Sequence, residues 1–93
     1  MAPQPATSEP VMPTLVVDAS GRCCPGPVID ARDAARKVAL GESFELITTD
    51  PGSWFDIPAW CRNTGHALLA AEEPSDDETG GERRYRFLVR RDR

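Results

Sequence analysis

The segment Arg22-Cys23-Cys24-Pro25-Gly26-Pro27-Val28 joins a predicted strand to a predicted helix, and it decides the fold around it. Proline is favoured at the first position of a helix, because its φ suits the helix and its missing N–H would have no partner there. We therefore predict that Cys24 is the N-cap residue. Pro25 is then the first helical residue, and Pro27 falls in the same turn.

This position predicts a reactive thiol at Cys24. The positive end of a helix dipole and nearby N–H donors stabilise a thiolate and so lower the pKa of a thiol. Because both prolines lack an N–H, the amides of Gly26 and Val28 are the donors expected to be free near the sulfur. The alternative is a buried structural thiol, which is common for free cysteine. The prolines at the helix start favour the exposed, reactive thiol.

Length and composition predict one small domain. The first thirteen residues of the 93 hold four prolines and no periodic apolar pattern, so we expect a disordered tail over 1–13 and a folded domain over 14–93. The net charge of −4 argues against direct binding of nucleic acid. No apolar run is long enough to span a membrane, so we expect no membrane contact.

The cysteine content predicts a reducing compartment. There are three cysteines, and the adjacent pair Cys23 and Cys24 has poor geometry for a mutual disulfide. Free thiols of this kind are typical of intracellular proteins. Since the N-terminus has neither the basic nor the apolar part of a signal peptide, we expect a cytoplasmic protein.

Periodicity outside the opening segment predicts four strands and two helices. Short apolar runs indicate strands at 15–17 and 68–71, and apolar alternation indicates strands at 44–49 and 85–90, with a polar loop over 74–81. One helix is predicted from Pro25 to about Ala39, followed by Gly41 as its stop. A second is predicted from Pro51 to about Thr64, with Asp50 as its cap, Gly65 as its stop and a break at Pro58.

The order of these elements is βαβαββ. Strands three and four are expected to form a hairpin, and the simplest arrangement places both helices on one face of a four-stranded mixed sheet. The sequence therefore predicts an α/β (α+β) two-layer sandwich. Four residues of the second helix are expected to pack in or around the core rather than form a ligand cage: Trp54, Phe55, Ile57 and Trp60.

Three blocks of the chain resemble the TusA/SirA family of sulfur-carrier proteins. The first is Asp18-Ala19-x-Gly21-x-x-Cys24-Pro25-x-Pro27, which is similar to the family signature. The second comprises Asp50-Pro51, Asp56-Ile57-Pro58-x-Trp60-Cys61 and His66. The third, Tyr85-Arg86-Phe87-Leu88-Val89-Arg90, is similar to the last strand of the family. The resemblance covers nearly all of the chain after Pro13.

The resemblance implies a βαβαββ sandwich that carries sulfur as a persulfide on Cys24. A cysteine desulfurase or a rhodanese-like protein would donate the sulfur, and another protein would accept it for transfer RNA thiolation, cofactor biosynthesis or sulfur oxidation. No cofactor and no metal ion are expected. The implied binding residues surround the cysteine or contact partners: Gly21, Arg22, Pro25, Gly26, Pro27, Arg32, Asp50 and Pro51. The chain departs from the family pattern at Cys23, where relatives often have arginine or another residue without a thiol.

Other readings of the same residues remain open. Cys24 could form a sulfenate resolved by Cys23 or Cys61, as in a thiol redox or peroxide-sensing module. The domain could also mediate interactions without thiol chemistry. A Cys-His hydrolase is poorly supported, because the single histidine, His66, follows the second helix. Structural zinc is disfavoured too, since adjacent cysteines lack the usual ligand spacing.

Two interpretations are open for Cys23 and for Arg32, and one is favoured for Cys61. Cys23 is either a second functional thiol or a residue packed against the sheet. Cys61, next to Trp60, is expected in the core. Arg32 lies seven residues after Pro25, on the same helical stripe, and either contacts an acidic partner or pairs with Asp30 or Asp33.

Overall fold

The computed structural model describes residues 12–23, 25–74 and 83–93. Within these ranges the elements are β1 (Leu15–Ala19), α1 (Gly26–Lys37), β2 (Ser43–Thr48), α2 (Ser53–Thr64), β3 (Ala67–Glu72) and β4 (Tyr85–Arg90). The predicted βαβαββ order is confirmed. Cys24, most of the predicted tail and most of the predicted polar loop lie outside the described residues.

The four strands of the described ranges form one mixed sheet in the order β1-β2-β4-β3. β1 and β2 are parallel, whereas β4 runs antiparallel to both of its neighbours. The predicted pairing of β3 with β4 is therefore correct, and a register shift between Leu68 and Ala70 marks a bulge in β3. Both helices cover one face of the sheet, as the two-layer prediction requires.

Alternation along the two central strands builds the core. Phe44, Leu46 and Thr48 of β2 and Phe87 and Val89 of β4 have no exposed surface, as their spacing predicts. Helix α1 meets them with small side chains, and α2 meets them with larger ones. These helical core residues are Ala31, Ala34 and Ala35 of α1 and Ile57 and Cys61 of α2.

Helix α1 begins one residue later than predicted. Pro25 occupies the N-cap position with φ −95° and ψ 17°, and Gly26 is the first helical residue. The Gly26 amide, which we expected to be free, donates to the Cys23 carbonyl at 2.7 Å. The prediction that Cys24 is the N-cap is wrong, because this tight turn moves the cap to Pro25. Cys24 immediately precedes the cap in the chain.

The predicted end of α1 is also displaced. The helix ends at Lys37, and the buried Val38 is already extended, with φ −102° and ψ 155°. Gly41 has a positive φ of 87°, but it serves a separate turn in which the Glu42 amide bonds to the Ala39 carbonyl at 3.0 Å. Burial of Val38 takes the chain out of the helix before the glycine is reached.

Helix α2 is unbroken from Ser53 to Thr64, so the predicted break at Pro58 is wrong. Proline removes one N–H, whose partner would be the Trp54 carbonyl in the first turn of the helix. Ile57 and Cys61, on either side of Pro58, are buried at 0% and 2% exposure, and this packing offsets the lost bond. At the other end, Gly65 has φ 88° and its amide bonds to the Cys61 carbonyl, as expected of a helix stop.

The aromatic residues of α2 divide into core and surface. The ring of Trp54 lies 6.1 Å from those of Tyr85 and Phe87, so its predicted packing role is correct. Phe55 is instead 74% exposed, contrary to the prediction. Trp54 and Ile57 are three residues apart and share the helix face that packs on the sheet. Phe55 follows Trp54 directly, so its side chain points away from that face.

The last three residues fasten the ends of both helices. Arg91 exchanges backbone hydrogen bonds with Gly41 and Glu42, and its guanidinium donates to the Val38 carbonyl at 2.7 Å. The Asp92 amide donates to Nδ1 of His66 at 3.2 Å. This C-terminal clasp joins the end of α1 to the segment that follows α2. None of the described helices is long and apolar enough to cross a membrane.

The packing predicts a large difference between two chemically identical substitutions. Phe87→Ala should lower the free energy of unfolding by about 3–5 kcal/mol, because it opens a cavity between β4 and the helices. Phe55→Ala should change it by less than about 0.5 kcal/mol, because that ring is exposed. Urea unfolding followed by circular dichroism measures both; similar losses in the two variants would contradict the assigned core.

The clasp predicts a pH dependence of stability. Burial lowers the pKa of His66, and the guanidinium groups of Arg91 and Arg93 lower it too, although the Asp92 carboxylate acts in the opposite direction. The unfolded chain then binds the proton more readily than the folded chain. The His66 contribution is therefore complete above pH of about 6.5 and is lost as the pH falls towards the lowered folded value.

The measurement is urea unfolding of the wild type and of His66→Gln at pH 8 and pH 5.5. We expect the wild type to lose more stability between these pH values than the variant does. Equal losses would show that His66 does not titrate with the clasp.

Candidate functional site

Parallel pairing of β1 with β2 brings two loops to one edge of the sheet. Both strands lead directly into a helix, so the loops at 20–25 and 49–52 both lie where the parallel strands end. The Gly21 amide donates to Oγ1 of Thr49 at 2.8 Å and joins the two loops. The predicted residues on both loops, which include Gly21, Asp50 and Pro51, are thus brought together.

The first of these, residues 20–25, is the cysteine loop. Gly21 has a positive φ of 83°, a conformation that glycine adopts without steric cost. The Arg22 amide then bonds back to the Ala19 carbonyl at 3.2 Å, and the Cys23 carbonyl accepts the Gly26 amide. The Cys23 thiol is free and exposed, so the reading in which it packs against the sheet is wrong.

An ion pair holds the cysteine loop onto α1. The Nε atom of Arg22 lies 2.9 Å from Oδ2 of Asp30, and the arginine crosses Gly26 on the way. A Cβ atom at Gly26 would lie 3.0 Å from that Nε, so the missing side chain leaves room for the crossing. The ion pair thereby fixes the Arg22 side of the cysteine loop against α1.

The second loop is a hydrogen-bonded turn around Asp50. Its Oδ1 accepts the Gly52 amide at 3.1 Å, and its carbonyl accepts both the amide and the hydroxyl of Ser53. The Ser53 hydroxyl also lies 2.6 Å from the buried Thr48 hydroxyl. Asp50 therefore shapes the turn but is not the N-cap of α2. That position belongs to Gly52, and Pro51 is exposed ahead of the helix.

The supporting polar residues were not among the predicted site residues. Thr49 accepts from the cysteine loop, Ser53 ties the second turn to β2, and Asp30 anchors Arg22. A signal for Ser53 was present, because Ser or Thr three residues after Asp is typical of turns that bond side chain to backbone. Asp30 and Thr49 gave no such signal, since their partners are eight and 28 residues away in sequence.

Pro25 and Pro27 play different parts at the start of α1. Pro25 is exposed and its carbonyl accepts the Ile29 amide at 3.1 Å, which begins the helical ladder. Pro27 is fully buried. One proline of the pair is therefore packed in the interior, and the other is presented to solvent.

Arg32 is not brought to the cysteine loop. It lies on the exposed side of α1, 3.7 Å from Asp33, while Asp30 is paired with Arg22 instead. This geometry agrees with the predicted pairing of Arg32 with a neighbouring aspartate, here Asp33. The separation is long for an ion pair, so the guanidinium is also available to a partner.

Neither Cys61 nor His66 can take part in nucleophilic chemistry at the cysteine loop. Burial raises the pKa of the Cys61 thiol to about 11, and only 2% of the residue is exposed. The predicted core location of Cys61 is confirmed. His66 follows α2 and so lies at the opposite end of the helix layer, where it is held by Asp92. It cannot act as a base for the cysteine loop.

Several known proteins are similar to this chain. YrkF of Bacillus subtilis, named as a candidate sulfur carrier protein, is 39% identical over 59 residues, which cover 63% of this chain and 32% of YrkF. A candidate sulfur carrier protein of Archaeoglobus fulgidus is 37% identical over 62 residues, covering 67% of this chain and 85% of that protein. Sulfur carrier protein TusA of Pseudomonas putida is 41% identical over 61 residues, covering 66% and 76%.

The fold and the family are both represented among known proteins. A SirA-like protein from Desulfitobacterium hafniense has a crystal structure that superposes with a TM-score of 0.57 at 20% identity, covering 81% of this chain and 96% of that one. This similarity establishes the shared fold. The family described as sulfurtransferase TusA matches residues 15–91, nearly the whole described region. The chain therefore belongs to the TusA family.

Proposed function

We propose that this protein is a sulfur carrier, which holds sulfane sulfur as a persulfide on Cys24 and relays it between proteins. The observation that carries the proposal is the exposed cysteine loop, fastened at a sheet edge immediately before α1. Membership of the TusA family and the names of the sulfur-carrier relatives support it. The resemblance of the Cys-Pro-x-Pro segment assigns the sulfur to Cys24.

The proposed loading step is a thiol exchange. The Cys24 thiolate attacks the outer sulfur of a persulfide on the donor protein, a new S–S bond forms at Cys24, and the donor cysteine leaves as a thiolate. Unloading repeats the exchange, with Cys24 as the leaving thiolate. Each step breaks one S–S bond and forms another, so neither step needs an external oxidant or reductant. A built-in general base is not required, which fits the remote location of His66.

The charges around the loop support a thiolate. The start of α1 contributes the positive end of its dipole, and no acidic residue lies in the first turn of this helix. Arg22 also lies in the loop, but its charge is compensated by the Asp30 carboxylate at 2.9 Å. The dipole favours the ionised form of a thiol placed between Cys23 and Pro25, and the thiolate is the form that reacts.

The proposed partners are a donor of the cysteine desulfurase or rhodanese-like class and a downstream acceptor protein. Transfer RNA thiolation, cofactor biosynthesis and sulfur oxidation are the pathways that the family resemblance leaves open, and we propose no direct contact with nucleic acid. Free thiols at Cys23 and Cys61 favour the cytoplasm as the compartment. The exposed Pro25, Ile29 and Pro51 offer a surface around the loop to both partners.

A redox or peroxide-sensing role is the second candidate, and the exposed thiol of Cys23 is the observation that favours it. Cys61 is a poor resolving residue, because it is buried and its thiol pKa is raised. An internal disulfide would then require the adjacent pair Cys23 and Cys24, whose geometry for a mutual disulfide is poor, so this candidate depends on a sulfenate at Cys24.

The first test is intact-mass analysis after incubation with a cysteine desulfurase and cysteine. Wild type and Cys23→Ser should gain one sulfur atom, about 32 Da, whereas Cys24→Ser should not. Treatment with peroxide provides the comparison, since a sensor would gain one oxygen, about 16 Da, or lose two hydrogens on forming a disulfide. Equal loading of all three proteins, or loading of none, would refute the assignment to Cys24.

A second prediction concerns Arg32 as a contact for the donor. Arg32→Glu should slow loading by a desulfurase about tenfold or more, because it reverses a charge at an interface. Loading by a small persulfide such as glutathione persulfide should be unchanged. Arg62→Glu, an identical charge reversal on the exposed side of α2, is the matched control. An equal effect of both variants would indicate a response to net charge rather than a contact at Arg32.

A further inference from the structure

A concave surface lies towards the C-terminal ends of α1 and α2, away from the cysteine loop. We call it the arginine groove, and its volume is about 280 Å³. Its charged and aromatic lining comes from α1, α2 and the C-terminal clasp: Arg32, Arg36, Trp60, His66, Arg91 and Arg93. Of these residues, the proposed sulfur transfer involves only Arg32, as a contact for the donor protein.

The groove is strongly basic in a chain of net charge −4. Four of its lining residues are arginines, and none of the described lining residues is acidic. Two carboxylates, those of Asp33 and Asp92, lie next to the groove. Asp92 binds the guanidinium of Arg90 through both oxygens, at 2.8 and 3.2 Å, and Asp33 is 3.7 Å from Arg32. Asp33 therefore compensates Arg32 in part, whereas Arg36 has no ion pair among the described residues, and the four arginines leave the groove with a net positive charge.

One wall of the groove is fixed before any ligand binds. The guanidinium of Arg91 donates to the main-chain oxygens of Val38 and Arg93, at 2.7 and 2.8 Å. The Arg93 side chain lies against Gly65, where a Cβ atom would come within 2.8 Å of its Nε. Fixed side chains lose little entropy on binding, so this wall is preorganised. Arg36 has no partner among the described residues and remains free to close on a ligand.

His66 adds a neutral donor to the same wall. Its Nδ1 accepts the Asp92 amide, so the neutral ring carries its proton on Nε2. The Trp60 ring lies 5.2 Å from the imidazole, which gives the groove an aromatic side beside its arginines. The lining thus combines hydrogen-bond donors with a flat apolar surface.

We propose that the arginine groove binds a small anion that carries two or more phosphate groups, such as a nucleoside diphosphate. Arginine presents a planar fork of donors that matches phosphate oxygens. Arg32 and Arg36 are one helical turn apart, with Cβ atoms separated by about 5–6 Å, and the clasp arginines face the groove from another element. One phosphate cannot satisfy all of these groups, whereas linked phosphates can. The concave shape favours a small molecule over an extended polymer.

The proposal is tested with the full chain at physiological ionic strength, with pyrophosphate and ADP as separate probes. Binding is followed by tryptophan fluorescence and by backbone amide shifts. We expect saturable shifts at Thr64, His66 and Arg91, with no saturable shift at Thr49. Tighter binding of ADP than of pyrophosphate would indicate that the base contacts Trp60; equal binding would indicate that only phosphate is bound.

Arg36→Gln should weaken binding about tenfold or more, since it removes hydrogen bonds from a charged donor. Arg62→Gln removes the same charge from an exposed position of α2 outside the groove, and its affinity should stay within about twofold of the wild type. Absence of saturable binding to either probe would overturn the proposal. Equal weakening in both variants would also overturn it, because the interaction would then be with net charge. Sulfur loading of Cys24 is measured separately, so failure here leaves the carrier proposal intact.

Discussion

Parallel pairing between β1 and β2 is the constraint on which the rest of the structure depends. A parallel pair cannot be joined by a tight turn, so α1 must cross over between the two strands. The next helix, α2, then starts from the same edge as α1. The cysteine loop and the Asp50 turn meet there because the chain has been returned to one edge twice. The hydrogen bond between Gly21 and Thr49 joins them directly.

The same topology separates the two ends of the helix layer. One end holds the starts of both helices, with their positive dipole ends, the exposed prolines and the cysteine loop. The other end holds the C-terminal clasp, the single histidine and the arginine groove. A small domain thus keeps a thiol surface and a basic surface apart without needing a second core.

The sequence was informative wherever one period dominated. Strict alternation at Phe44, Leu46 and Thr48 predicted the central strand because only one side of that sheet faces the helices. Prediction failed where tertiary packing outweighed a local preference. Pro58 should interrupt a helix, yet burial of Ile57 and Cys61 keeps α2 continuous. Gly41 is a natural helix stop, yet burial of Val38 ends α1 first.

The candidate site was predicted in outline and not in detail. Gly21 follows a local rule and could be found from the chain alone, whereas Asp50 was found as a cap of the second helix and instead shapes the turn before it. The ion pair between Arg22 and Asp30, and the contact between Gly21 and Thr49, depend on how separate elements approach each other. Those approaches are set by the packed sheet, which no short motif encodes.

The alanines on the buried side of α1 set the distance between the cysteine loop and the sheet. Ala31, Ala34 and Ala35 are at most 5% exposed, so the thickness of this layer is determined by single methyl groups. A larger side chain at any of them would lift the helix, and the loop anchored to its first turn would rise with it. The distance that the cysteine loop extends towards its proposed partners is therefore set by core packing. That packing lies on the buried side of α1, whereas partners would contact the exposed side.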